Sequence, residues 1–201
     1  MCRAPFLAAV AAALLAGCAP SAVLMTPPPT VKPPPGGGTE TTGEVSFSAG
    51  GLGRTVSYGP WRVTGPGIDL RYAGDGAWTG QMNGADVRIS AQQGLLTGPA
   101  TQLRLNQDGS TLSIRGTWSG RGLDITVGRL GLRGTMEQGG CTIQLQSAGA
   151  YTLSGTLGCS GRPDGVPSSS QGSLRFGGEA VLVPDVLLPQ FILALLSALP
   201  I

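Results

Sequence analysis

The stretch Leu103-Arg104-Leu105-Asn106-Gln107-Asp108-Gly109-Ser110-Thr111-Leu112-Ser113-Ile114 alternates apolar and polar residues on both sides of a turn signal. A period of two places every second side chain on one face of an extended chain, so each flank reads as a strand with one dry side. A type I′ turn over Asp108-Gly109 sets Gln107 against Ser110, which pairs Leu105 with Leu112 and Leu103 with Ile114. Arg104 and Ser113 then share the opposite, wet face. The same alternation recurs in Leu123-Asp124-Ile125-Thr126-Val127, Leu130-Gly131-Leu132 and Ile143-Gln144-Leu145. Gly, Asn and Asp punctuate these runs about every ten residues, the spacing of a meander rather than of strands joined by crossover helices. The expected fold is all-β: an antiparallel meander, barrel-like or a one-faced sheet, with a short apolar C-terminal helix.

A loose repeat runs through the meander. Gly76-Ala77-Trp78-Thr79-Gly80 and its sequel through Asp86 match Gly116-Thr117-Trp118-Ser119-Gly120 and its sequel through Asp124, with a fainter copy from Trp61 to Asp69. Units of unequal length indicate stacked hairpins or a duplicated meander, not a strict solenoid. Two readings attach to the aligned Trp and Asp: indole platforms with sugar-binding carboxylates, or apolar caps on each hairpin with Asp at a strand edge. The second is the simpler.

The amino terminus has another character. Arg3 precedes an uninterrupted apolar run, Phe6 to Ala16, too short to span a bilayer and closing in small residues, which is the form of a secretory leader. Its end, Leu15-Ala16-Gly17-Cys18, resembles the lipobox of bacterial lipoproteins. That resemblance covers the leader alone. It implies cleavage after Gly17, a diacylglyceryl thioether on Cys18, further fatty acylation (palmitate among the acyl chains) of the new amine, and firm membrane attachment. Ala19 in the next position resembles lipoproteins passed to the outer membrane of the cell envelope. The organisation expected is a signal peptide over 1–17, a lipid-anchored Pro/Gly-rich stalk over 18–43, a β domain over 44–183 and an apolar helix over 184–201 packing on the sheet. The stalk's Pro clusters favour polyproline II, a stiff spacer.

Composition excludes much chemistry. The 201 residues include no His, which removes Ser-His-Asp and Cys-His nucleophile pairs and the common zinc sites. A formal net charge of +2 supplies no field for nucleic acid. A two-carboxylate glycosidase would have to draw on Asp69, Asp86 and Asp124, and Asn106-Gln107-Asp108-Gly109 lacks the acidic clustering of a calcium loop. The reading is therefore of a protein that is not an enzyme, with no catalytic residues, no metal and no cofactor.

With Cys2 in the leader and Cys18 lipidated, Cys141 and Cys159 remain, an even pair in an exported chain. Mirroring the sequence about Ala150 sets Cys141 opposite Cys159, Ile143 opposite Leu157 and Leu145 opposite Gly155, so a disulfide is expected. From Pro184 the chain turns apolar on all sides, with Asp185 placed to cap a helix and Pro189 in its first turn. That helix has three possible destinations: the dry face of the sheet, a membrane, or a subunit contact. Core packing is the reading taken. Two functions stay open: a structural or protein-binding domain with an envelope partner, or a carrier for an apolar ligand such as lipid.

Overall fold

The structure is a computed structural model that describes residues 43–128, 130–137, 140–160, 168–178 and 188–200. Cys18, the stalk up to residue 42 and Asp185 lie outside the described residues. The chain forms β1 (Gly43–Ala49), β2 (Leu52–Tyr58), β3 (Arg62–Gly65), β4 (Ile68–Gly74), β5 (Ala77–Met82), β6 (Ala85–Gln92) and β7 (Leu95–Gly98). It continues through β8 (Thr101–Asp108), β9 (Thr111–Trp118), β10 (Arg121–Gly128), β11 (Gly131–Met136), β12 (Cys141–Gly149), β13 (Thr152–Cys159) and β14 (Ser168–Gly178), then α1 (Pro189–Ala198). Each strand pairs antiparallel with the next in sequence, and β1 also pairs with β14, so the meander closes as a barrel. Closure joins distant parts of the chain: Ser48 and Ser173 hydroxyls hydrogen-bond at 2.9 Å.

The alternation read from the sequence is the barrel's inside and outside. Val45, Phe47, Leu103, Leu105, Ile125, Val127, Ile143 and Leu145 are buried, whereas Glu44, Ser48, Arg104, Asp124 and Gln144 between them are exposed. A membrane-spanning barrel has the reverse pattern, with an apolar band facing lipid. This wall is polar outside and dry inside.

Eight strands enclose just enough space for their own side chains, so fourteen leave a lumen that something must fill. The filler is α1. Ile192, Leu193, Leu195, Leu196 and Leu199 are buried in the same core as the inward residues of the strands. Phe191 meets the inward rings of Tyr58 and Phe176 at centroid distances of 5.9 Å each. A helix apolar all round has nowhere to show a polar face, and enclosure on every side is the arrangement that suits it. The expected helix is present, but it does not cover an open sheet: the sheet is closed and the helix is inside it. Its N-cap is Leu188, with Pro189 in the first turn, so Asp185 is not the cap.

Two features of the strands were not read from the sequence. The β8–β9 hairpin turns one residue later than expected, over Gly109-Ser110, pairing Asp108 with Thr111, Leu105 with Ile114 and Leu103 with Gly116. Gly109 has φ of 54°. The shift moves the register by two, which keeps every side chain on its face, so hydrophobic pattern alone could not choose between the pairings. The second feature is a glycine in each of β3, β5, β7, β9, β11 and β13: Gly65, Gly80, Gly98, Gly116, Gly134 and Gly155. A Cβ at these positions would run into the carbonyl oxygen of Thr55, Asp69, Arg88, Gln102, Asp124 and Gln144 respectively, each on the preceding strand. Every second strand is thus creased against its predecessor, which curls a long meander enough to close. The hairpin is the repeating unit.

Candidate binding groove on the outer wall

Across β9 to β12 the register lines up outward-facing positions in rows. One row runs Ser113, Thr126, Arg133, Gln144, and the next runs Thr111, Gly128, Gly131, Gln146. In the second row the two central members have no side chain, so the wall is recessed between Thr111 and Gln146. The result is a groove of about 530 Å³, bordered by Ser110, Thr111, Thr126, Arg133, Gln144 and Gln146, with Leu130 at its rim. Gly131 is obligatory there, because a Cβ would overlap the Leu145 carbonyl oxygen, and at Gly128 it would lie 3.1 Å from that of Ser110. The turn bearing Leu130 is held by a hydrogen bond of 3.0 Å from the Ser147 N–H to the Leu130 carbonyl.

Hydroxyls, two side-chain amides and one guanidinium make this a hydrogen-bonding surface without a nucleophile or general base. It can accept an extended polar chain such as a peptide backbone. A second recess lies at the far end of the barrel, among Arg54, Asn83, Arg121 and Ser197. Its volume of about 70 Å³ takes a few waters at most.

The residues singled out in the sequence are placed otherwise. Trp78 and Trp118 are buried in the core, so they cannot stack on a sugar, and Trp61 is half-buried with its ring 5.8 Å from that of Tyr72. The hairpin-cap reading holds for the two buried indoles. Asp69 accepts two hydrogen bonds of 2.9 Å from Arg62 Nε and Nη2, and that pairing holds its carboxyl below the usual range. A general acid needs the opposite shift. Asp86 shares a row with Asp69 through Gln81, two strands away, roughly 9.6 Å by strand spacing. Asp124 accepts a hydrogen bond of 3.1 Å from Arg115 Nε. Among the described residues, no three or more His, Cys, Asp or Glu side chains cluster to hold a metal ion.

Cys141 and Cys159 are opposite one another on β12 and β13 and form a disulfide, with Ile143 opposite Leu157 and Leu145 opposite Gly155 as the mirrored sequence required. The groove itself was missed. Its signal was present as Gly128 and Gly131 flanking one turn, but only the register shows that they are neighbours across the wall. No family model matches the chain, and no curated protein or solved structure is significantly similar to it.

Proposed function

We propose that the protein is a bacterial envelope lipoprotein: lipid on Cys18 holds it to a membrane, the Pro-rich segment links that anchor to the barrel, and the barrel is a non-catalytic domain that docks a protein partner. The observation that carries this choice over a lipid carrier is the filled lumen. The apolar interior a carrier would offer its cargo is occupied by α1, and the hydrogen-bonding recess lies on the outer wall, where a partner's chain can reach it.

The test is crosslinking in the native envelope, followed by mass spectrometry, with wild type, Cys18→Ser and Gln146→Trp compared. Cys18→Ser should lose both fatty-acid labelling and membrane association. Gln146→Trp fills the groove from an exposed position, and should lose the partner crosslink while keeping the wild-type melting temperature. An unaltered crosslink in Gln146→Trp overturns the groove as the docking site. Non-covalent lipid retained by the purified wild type in stoichiometric amount would instead establish the carrier.

A further inference from the structure

Because neighbouring strands run in opposite directions, the barrel has two distinct ends. Gly43 enters at what is termed here the upper end, and the turns β2–β3, β4–β5, β6–β7, β8–β9, β10–β11 and β12–β13 lie there too. Large apolar and aromatic side chains are divided unequally between the ends. Leu130 is 85% exposed, Tyr151 54% and Leu95 41%, all at upper turns, and half-buried Trp61 is in another. Among the described lower turns, built from Gly50-Gly51, Pro66-Gly67, Asn83-Gly84, Pro99-Ala100 and Ser119-Gly120, only Leu52 at 72% is comparable.

The four upper residues are spread around the rim: Trp61 in the β2–β3 turn, Leu95 at the start of β7, Leu130 in the β10–β11 turn and Tyr151 in the β12–β13 turn. Points on a ring touch a plane together, whereas a peptide or a globular partner would meet one or two of them. Trp and Tyr with a few aliphatic tips are also the side chains that settle at a lipid–water boundary. The segment leading back to Cys18 joins the barrel at this same end, through Gly43.

We infer that the upper rim is a lipid-facing surface: the barrel stands on the membrane with Trp61, Leu95, Leu130 and Tyr151 at the headgroups and its lower end directed away. The polar wall limits entry to the turn tips. The inference rests on the lipid anchor proposed above, and the groove, which opens beside Leu130, then lies close to the bilayer.

The experiment uses the mature lipidated chain, purified from its envelope and incorporated into vesicles of phosphatidylethanolamine and phosphatidylglycerol whose acyl chains are brominated near the headgroups. Tryptophan is added singly as Leu130→Trp, Tyr151→Trp or Leu52→Trp, and its emission is read as the excess over wild type. Bromolipid should cause loss of the added emission in Leu130→Trp and Tyr151→Trp but not in Leu52→Trp. Vesicle flotation separates the two ideas. If the protein floats while the upper-end indoles are unquenched, or quenched no more than Leu52→Trp, the rim is not a membrane surface although the anchor stands. If the protein does not float, the anchor reading falls and this inference with it.

Discussion

At Gly155 the smallest possible addition meets the backbone of the preceding strand, since a methyl group would overlap the Gln144 carbonyl oxygen. Gly155→Ala should therefore destabilise the barrel by about 3 kcal/mol, the scale of forced overpacking. Gly53→Ala, on an exposed stretch of β2 with nothing within 4 Å of the new carbon, should change stability by less than about 0.5 kcal/mol. Denaturant titration of both variants checks the contrast. Two titrating groups add pH dependence of opposite sense. Burial pushes the Tyr58 phenol up to about 12 from 10.0, so its contribution is intact below pH 10 and is lost as pH rises toward 12. The loss across that window is about 2–3 kcal/mol, and Tyr58→Phe should abolish it. The Asp69 carboxyl is lowered by Arg62, so its contribution is present above the unfolded value and disappears as pH falls through the folded one. Because that pair is largely exposed, with side chains 33% and 46% accessible, Asp69→Asn should flatten the acid limb by well under 1 kcal/mol.

The elements differ in how much rests on each. Deleting α1 empties the lumen of several large side chains, each worth about 1.5–3 kcal/mol of burial, a total comparable with the stability of a whole domain. The truncated protein should lose its cooperative melting transition. Leu195→Asp should do nearly the same, because Leu195 is buried and a carboxylate there has no partner. Cys141→Ser with Cys159→Ser is milder: β12 and β13 remain paired, and about 3 kcal/mol should be lost for a loop of 18 residues. These elements were legible to different degrees for physical reasons. The β12–β13 hairpin could be read because cysteines and aliphatic residues mirrored about the same centre, two independent constraints on one register. The β8–β9 hairpin had only Asp108-Gly109 to fix its turn, and a slip of two leaves the burial pattern untouched. The helix was evident, with Pro189 in its first turn and its end near Leu199, but its position was not. An apolar stripe on all sides requires enclosure without saying by what.

For the molecule as a whole, the sequence carried the alternation and not the closure, because pairing of β1 with β14 depends on the sum of small bends at glycines in six strands. Repeated Gly-Thr pairs at 116–117, 134–135 and 155–156 were the trace of that curvature. Enclosing α1 has a consequence for timing. The barrel is completed around a segment that follows all fourteen strands, and its seam joins residues such as Ser48 and Ser173, 125 positions apart. Such distant pairing is slow to form, and no nascent chain that stops short of α1 has the means to fill its own interior. A chain lacking residues from 188 onward should accordingly stay open to protease under conditions where the longer one resists. If the chain is exported as proposed above, lateness of this kind keeps the polypeptide threadable: the position of α1, after the strands it fills, prevents the barrel from maturing before it has passed the export channel.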